Sequence, residues 1–195
     1  MFKYFLIFIL ISLPAIGNVK MSVEDALNKY FPGYEIKNKK LFLSKENIEK
    51  LSAKAESKFS NRIFSYYEAS KNGQRVYTAY LITHKLRTRT QTMFIVFKTN
   101  GEMKSAEVIA FYEPEEYIMT QPWLKQFINK KSQQMPNTSN VMKVSNSTIS
   151  YNETTKAIRR IAEPLMKKHW HDKVENLHRI YRVAEYLLHR QRRAK

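Results

Sequence analysis

The sequence predicts an α+β fold, in which an antiparallel sheet is flanked by helices and a basic helix ends the chain. Stretches in the middle of the chain are rich in β-branched and aromatic residues, as strands are. Two Asn-Gly pairs, Asn72-Gly73 and Asn100-Gly101, lie between these stretches, where hairpin turns are expected. Amphipathic helical patterns occur before and after them. Together these observations favour a sheet with helices packed on it.

The first part of the chain predicts two helices with strands between them. One helix covers 22–30, with Ser22 as its N-cap and Pro32-Gly33 as its stop. The second runs from Ser44 to about residue 59. Between them, 34–36 and 41–43 predict two short strands that are separated by a lysine-rich turn.

Four further strands make up the predicted sheet, at 64–67, 76–83, 92–98 and 106–112. The segment 71–74 is the turn between the first two. Asn100-Gly101 joins the last two as a hairpin, because both residues tolerate a positive φ.

The second half of the chain predicts helices joined by polar loops. Residues 114–130 form one or two helical pieces, broken at Pro122, and 131–140 is a polar loop. A longer helix is expected from about Tyr151 to 163–164, because Ser150 and Glu153 have the spacing of a capping box. Glu115 and Glu116 follow a proline, and we interpret them as structural residues of a helix start.

Residues 1–17 have the order of a secretory signal: one positive charge, a short apolar run and small residues at the end. The apolar run is shorter than the roughly 20 residues that span a bilayer. We expect cleavage after Gly17 and a periplasmic or otherwise exported protein. The domain is then expected at 18–165, followed by a basic amphipathic helix at 166–195.

The formal net charge of the chain is +17, and it contains no cysteine. The absence of cysteine excludes disulfides and thiolate-bound clusters. The positive charge is scattered through the chain, which favours a generally basic solvated surface. It also suits an anionic membrane surface or an acidic partner, whereas nucleic acid suits an exported chain poorly. The histidines of the last helix are too far apart to bind one metal ion without another element.

The loop at 144–150 is the first candidate for a site. It is rich in hydroxyl groups and leads into the predicted helix, whose N-terminus favours a phosphate or another anion. Thr148 is placed to meet such a phosphate. A plain capping loop is the alternative interpretation of the same residues.

The order of several motifs resembles the FMN-binding domain family, which includes the C subunit of sodium-translocating NADH:quinone reductase. The resemblance covers about 22–161. It is carried by Phe111-Tyr112-Glu113-Pro114-Glu115-Glu116-Tyr117, by Trp123-Leu124-Lys125-Gln126-Phe127, and by the stretch from Ser145 to Ile161. It is nearest to the small exported single-domain members.

The resemblance implies an FMN cofactor and an electron-transfer function with a redox protein as partner, free or membrane-bound. In that family a flavin transferase, which uses FAD and a divalent metal, joins FMN through a phosphoester to a threonine, and Thr148 matches that threonine. Ser145, Ser147 and Ser150 are then expected to bind phosphate or ribityl oxygens. The segment from His84 through Arg87 to Thr88 is expected beside the cofactor.

The chain departs from the family pattern at three positions around Thr148, where Met142, Asn146 and Ser147 replace Asp, Gly and Ala. Covalent FMN, non-covalent FMN and a lost cofactor therefore remain open. Two other functions also remain: a cofactor-free interaction protein that binds an acidic partner through its basic surface, and a small reductase with its own substrate.

Overall fold

The computed structural model describes residues 18–54 and 63–162. Over these ranges the predicted α+β fold is confirmed, with a six-stranded antiparallel sheet and helices. The predicted signal at 1–17 and the predicted basic helix at 166–195 lie outside the described residues. Within the described ranges, no helix is long and apolar enough to cross a membrane.

The sheet joins strands that are mostly neighbours in the chain. Its spatial order is β1-β6-β5-β4-β3-β2, and each neighbouring pair is antiparallel. The strands are β1 (Asn18–Val19), β2 (Glu35–Phe42), β3 (Ile63–Lys71), β4 (Gln74–Lys85), β5 (Thr90–Lys98) and β6 (Met103–Phe111).

Four α-helices accompany the sheet in the described residues: α1 (Val23–Tyr30), α2 (Lys45–Lys54), α3 (Gln121–Leu124) and α4 (148–162). Short 3₁₀ turns occupy Glu115–Tyr117, Lys125–Phe127 and Ser132–Gln134. The helix α1 begins as predicted, because Ser22 Oγ accepts the backbone N–H of Asp25 at 3.0 Å. The part of the second predicted helix beyond Lys54 lies outside the described residues.

Both predicted Asn-Gly turns are present. Asn72 and Gly73 have φ values of 53° and 73°, which suit the two-residue turn between β3 and β4. Gly101 has a φ of 85° in the turn between β5 and β6. A further prediction, a helix start after Pro114, agrees with the short 3₁₀ helix at Glu115–Tyr117.

The two short strands predicted at 34–36 and 41–43 are wrong. The chain instead forms one continuous strand, β2, which pairs with β3 over all eight of its residues. Its lysine-rich centre has weak intrinsic strand propensity, but the long-range pairing with β3 supplies backbone hydrogen bonds that local sequence does not reveal.

The predicted break at Pro122 is also wrong. Pro122 lies in the first turn of α3, which Thr120 caps. A proline is tolerated there because its missing N–H would have no intrahelical acceptor. Trp123 and Phe127 are buried as predicted, and Ile128 is half-buried.

Each face of the sheet carries its own apolar core. On one face, Ala26 and Phe31 of the α1 region cover a smaller cluster that includes Phe94 and Val96. On the other face, the chain from Met119 onward covers a larger cluster that includes Met93, Ile95 and Phe97. The helix α4 contributes to this second core through Tyr151, Ala157, Ile158, Ile161 and Ala162. The predicted site residues therefore lie on the same side as the larger core.

Candidate functional site

The helix α4 begins earlier than the sequence predicts. The first helical hydrogen bond runs from the N–H of Tyr151 to the carbonyl of Ser147 at 3.0 Å, so Ser147 is the N-cap and Thr148 is the first helical residue. The predicted capping box is wrong, because Ser150 is fully buried and Glu153 pairs with Lys156 at 2.8 Å. Packing of the first helical turn against the protein interior thus displaces the expected cap.

A tight turn precedes this helix start. The N–H of Ser147 donates to the carbonyl of Val144 at 3.2 Å, and Asn146 occupies the third position of the turn with a φ of 59°. Asparagine adopts this left-handed conformation more readily than most residues. The backbone N–H groups of the first turn of α4 have no acceptor within the helix itself.

The predicted site residues around this start divide between two environments. Ser145 and Thr148 are exposed, and Ile149 beside them is 51% exposed. Ser147 and Ser150 are buried at 6% and 0% exposure. The hydroxyl of Thr148 is therefore accessible to a reagent or a phosphate from solvent, whereas Ser150 faces the interior.

The segment before α4 is held by two side chains of the region that contains α3. Trp123 Nε1 donates to the carbonyl of Met142 at 2.8 Å, and the N–H of Met142 donates to Gln126 Oε1 at 2.9 Å. Met142 is fixed through both of its backbone polar groups while its side chain is 61% exposed. The Trp and Gln of the W-L-x-Q-F motif thus position the chain that leads to Thr148.

A buried polar cluster lies between the sheet and α4. Gln91 of β5 is fully buried, and its Nε2 donates to Thr154 Oγ1 at 3.3 Å. The same nitrogen lies 3.3 Å from Nε2 of His84, which is paired with Gln91 across β4 and β5. Ser150 lies four residues before Thr154, so both project from the same side of α4. The buried hydroxyl of Ser150 makes no hydrogen bond to a described residue of this cluster.

His84 is neutral at physiological pH. Burial, together with the positive charge of Arg160, lowers its pKa from 6.5 to about 4. Its Nε2 faces the amide nitrogen of Gln91, so that ring nitrogen acts as an acceptor, which requires the uncharged ring. Among the described residues, Nδ1 of His84 and the side-chain oxygens of Gln91 and Ser150 lack hydrogen-bond partners. These atoms are shielded from solvent, and a buried water molecule is the partner that could satisfy them.

The loop between β4 and β5 surrounds a carboxylate. The N–H groups of Arg87, Thr88 and Arg89 donate to Glu113 Oε1 at 3.2, 2.5 and 2.7 Å, and Thr88 Oγ1 lies 3.2 Å from both carboxylate oxygens. Burial alone would raise the pKa of Glu113, but these hydrogen bonds outweigh it and hold the pKa below its usual value. The loop is therefore anchored by an ionised carboxylate.

Arg87 and Thr88 are thus engaged with the segment that follows β6. The guanidinium of Arg87 lies 4.0 Å from the centroid of the Tyr117 ring, within the range of a cation–π contact. Glu113 and Tyr117 are the first Glu and the Tyr of the F-x-E-P-x-E-Y motif. Both residues of this motif therefore have a structural role, because they hold the loop at 86–89 in place.

The structure groups the predicted site residues into three sets. Ser145 and Thr148 form the exposed set at the start of α4, beside the buried N-cap Ser147. His84 and Ser150 border the buried polar cluster. Arg87 and Thr88 contact Glu113 and Tyr117. Three further residues connect the last two sets to the rest of the domain: Gln91, Thr154 and Glu113. No local sequence pattern indicates them, because each bonds to a partner more than 20 residues away in the chain.

No protein-family model, curated protein or solved structure matches this chain. The resemblance to the FMN-binding domain family therefore remains a prediction from the motifs named above. The described residues also contain no group of three or more acidic or histidine side chains arranged to hold a metal ion.

Proposed function

We propose that this protein is an exported flavoprotein that carries FMN at the start of α4 and passes electrons to or from a redox partner. The observation that carries the proposal is the position of Thr148. It is exposed, it is the first residue of a helix of at least 15 residues, and it lies two positions after Asn146, which has the left-handed conformation.

The chain around Thr148 offers what a phosphate needs. The first-turn N–H groups of α4 and the positive end of the helix dipole favour an anion beside Thr148. The left-handed Asn146 takes the place where the family pattern has glycine, and it gives the backbone the same turn at a position where most residues would be strained. Ser145 is exposed next to it and supplies a further hydroxyl.

A phosphoester at Thr148 requires its hydroxyl oxygen to bond to the FMN phosphorus. If FAD is the donor, the pyrophosphate bond breaks, AMP leaves, and the hydroxyl proton is released. The Thr148 hydroxyl is accessible to a transferase because the side chain is exposed. The exposed Met142 side chain, where the family has Asp, is part of the surface that such an enzyme would meet.

When bound, FMN supplies one- or two-electron transfer, and the protein contributes orientation and electrostatics. His84 is buried and neutral, so it adds no charge to the surroundings of the cofactor. The loop of Arg87 and Thr88 is held rigidly by Glu113. These groups are the ones we assign to the surroundings of the cofactor.

The test uses the full chain, expressed with its export signal in a host that contains a flavin transferase. We expect the wild-type protein to show flavin absorbance and a mass increased by one attached FMN group. Both signals should be lost in Thr148→Ala, whereas Ser145→Ala should retain the covalent adduct. If the flavin is released when the protein is denatured, the protein binds FMN but does not attach it covalently. Colourless protein of unmodified mass would overturn the proposal.

A further inference from the structure

One edge of the sheet is covered by other segments of the described chain, and the opposite edge is not. Along β6, the carbonyl of Ile109 accepts the N–H groups of Lys20 and Met21 at 2.8 and 3.1 Å. The carbonyl of Ala106 accepts Gln121 Nε2 at 3.3 Å. Met103 exchanges hydrogen bonds with residues 129–130, at 2.8 and 3.0 Å. This edge is covered along its length, which is the usual protection of an exposed strand.

The opposite edge, β2, has no such cover from the part of the chain that the structure describes. All eight residues pair with β3 on one side, and no backbone hydrogen bond from another described residue reaches the other side. Seven of the eight are exposed, and Leu41 is half-buried. Alternate residues therefore direct their N–H and C=O groups outward over a strand of about 26 Å.

The side chains of β2 give this open edge a positive charge. Lys37 and Lys39 project from one face of the sheet, and Lys40 projects from the other, with one acidic residue, Glu35, at the start of the strand. Lys39 forms an ion pair with Glu68. Ile36 and Phe42, on the same face as Lys40, are 37% and 68% exposed. The edge therefore combines lysines with apolar side chains.

These charges discriminate between occupants of the edge. Pairing of β2 with β2 of a second copy would place lysines against lysines, and like charges on adjacent strands are unfavourable. The predicted helix at 166–195 is itself basic by sequence, with a formal charge of +6 from nine Lys/Arg and three Asp/Glu, and is repelled in the same way. An acidic strand meets no such repulsion.

We propose that β2 binds an extended acidic segment of a partner protein, which adds to the sheet as a seventh strand. Main-chain hydrogen bonds to the open edge supply the affinity, as in other cases of strand addition. Carboxylates opposite Lys37, Lys39 and Lys40 supply the specificity. Lysines on an edge strand also prevent unselective pairing, so the same residues exclude neutral and basic strands. This inference holds with or without bound flavin.

The experiment uses a fluorescently labelled peptide as long as β2, in which pairs of glutamates alternate with pairs of valine or threonine, so that carboxylates project from both faces of the added strand. Binding to the full-length protein is measured by fluorescence anisotropy. Two control peptides accompany it. In one, lysine replaces glutamate. In the other, two adjacent central residues are N-methylated, which keeps the charge and removes one main-chain donor from each edge of the peptide. We expect only the unmodified acidic peptide to bind.

Charge-reversal variants locate the surface. Lys37→Glu/Lys40→Glu places glutamates opposite the carboxylates of the peptide, and like charges repel. We expect binding to weaken about tenfold or more, which corresponds to about 1.4 kcal/mol. Lys125→Glu/Lys143→Glu makes the same change in net charge at two exposed residues near α3, whose region contacts β6 on the opposite side of the sheet from β2. This variant is expected to leave binding within about twofold. Circular dichroism checks that both variants fold.

Three results would overturn the proposal. Equal binding of the acidic and N-methylated peptides would show a charge-only contact without strand addition. Equal weakening by the two double variants would show that net charge, not β2, attracts the peptide. The absence of binding of the acidic peptide to the folded protein at low ionic strength would exclude the edge as a docking site.

Discussion

Gln91 donates a hydrogen bond to Thr154 at 3.3 Å, across 63 positions of the chain. Both side chains are fully buried, and the bond ties the start of the inner strand β5 to the second turn of α4. The first residue of that helix is Thr148, the residue proposed to carry the cofactor. The geometry of the candidate site therefore depends on how α4 is seated on the sheet, and the buried polar cluster is one of the contacts that seat it.

Thr154→Val tests this bond. The substitution keeps the shape of the side chain but leaves Gln91 with one buried donor unsatisfied, so we expect a loss of about 1–3 kcal/mol in the free energy of unfolding. Chemical denaturation measures it. In the double variant Gln91→Leu/Thr154→Val both polar partners are removed, and we expect a cost smaller than the sum of the two single changes. Strictly additive costs would contradict a direct interaction.

The buried, neutral His84 should make the stability of the domain fall at acidic pH. Its pKa is lowered from 6.5 to about 4 in the folded state, so the unfolded chain binds the proton more tightly between these values. Stability from the neutral ring is fully present above pH 6.5 and is lost as the pH falls toward 4. The loss reaches about 3 kcal/mol, because one pKa unit corresponds to about 1.4 kcal/mol.

Unfolding free energies of the wild type and of His84→Gln at pH 7, 6, 5 and 4 check this prediction. We expect the variant to be less stable at pH 7, since the packing of His84 against Gln91 is altered, and to depend less on pH between 6.5 and 4. A variant that keeps the full pH dependence in this window would show that another group titrates there.

The elements that the sequence predicts correctly are those whose causes are local. Ser22 caps α1 through a residue three positions away, and Asn72-Gly73 makes its turn through its own backbone preferences. The sequence predicts two short strands in place of the single strand β2, because the pairing with β3 is not visible in the lysine-rich sequence of β2 itself. Long-range pairing overrides local propensity in such a strand.

The candidate site shows the same division. The hydroxyl-rich loop and Thr148 are recognisable from neighbouring residues, whereas the true start of α4 is not. Ser150 and Glu153 have the spacing of a capping box, but Ser150 is buried and the cap falls three residues earlier, at Ser147. The contact of Glu113 with the loop at 86–89 spans about 25 positions and has no local signature.

The Glu113 carboxylate is expected to contribute strongly to the stability of the domain. Three backbone N–H groups and one hydroxyl converge on the Glu113 carboxylate, and removal of the carboxylate leaves these donors without their acceptor. We expect Glu113→Ala to cost about 2–4 kcal/mol of unfolding free energy, since hydrogen bonds to a charged group are the stronger ones. Glu113→Gln, which keeps one acceptor oxygen without the charge, is expected to cost less.

Glu116→Gln is the matched control for Glu113→Gln, because Glu116 is exposed three residues further on. We expect it to change stability by no more than about 0.5 kcal/mol. Hydrogen exchange gives a second measurement: the amides of Thr88 and Arg89 should exchange faster in Glu113→Ala, while those within β5 keep their protection, since their acceptors lie in neighbouring strands. Unchanged exchange at Thr88 and Arg89 would mean that the carboxylate does not hold the loop.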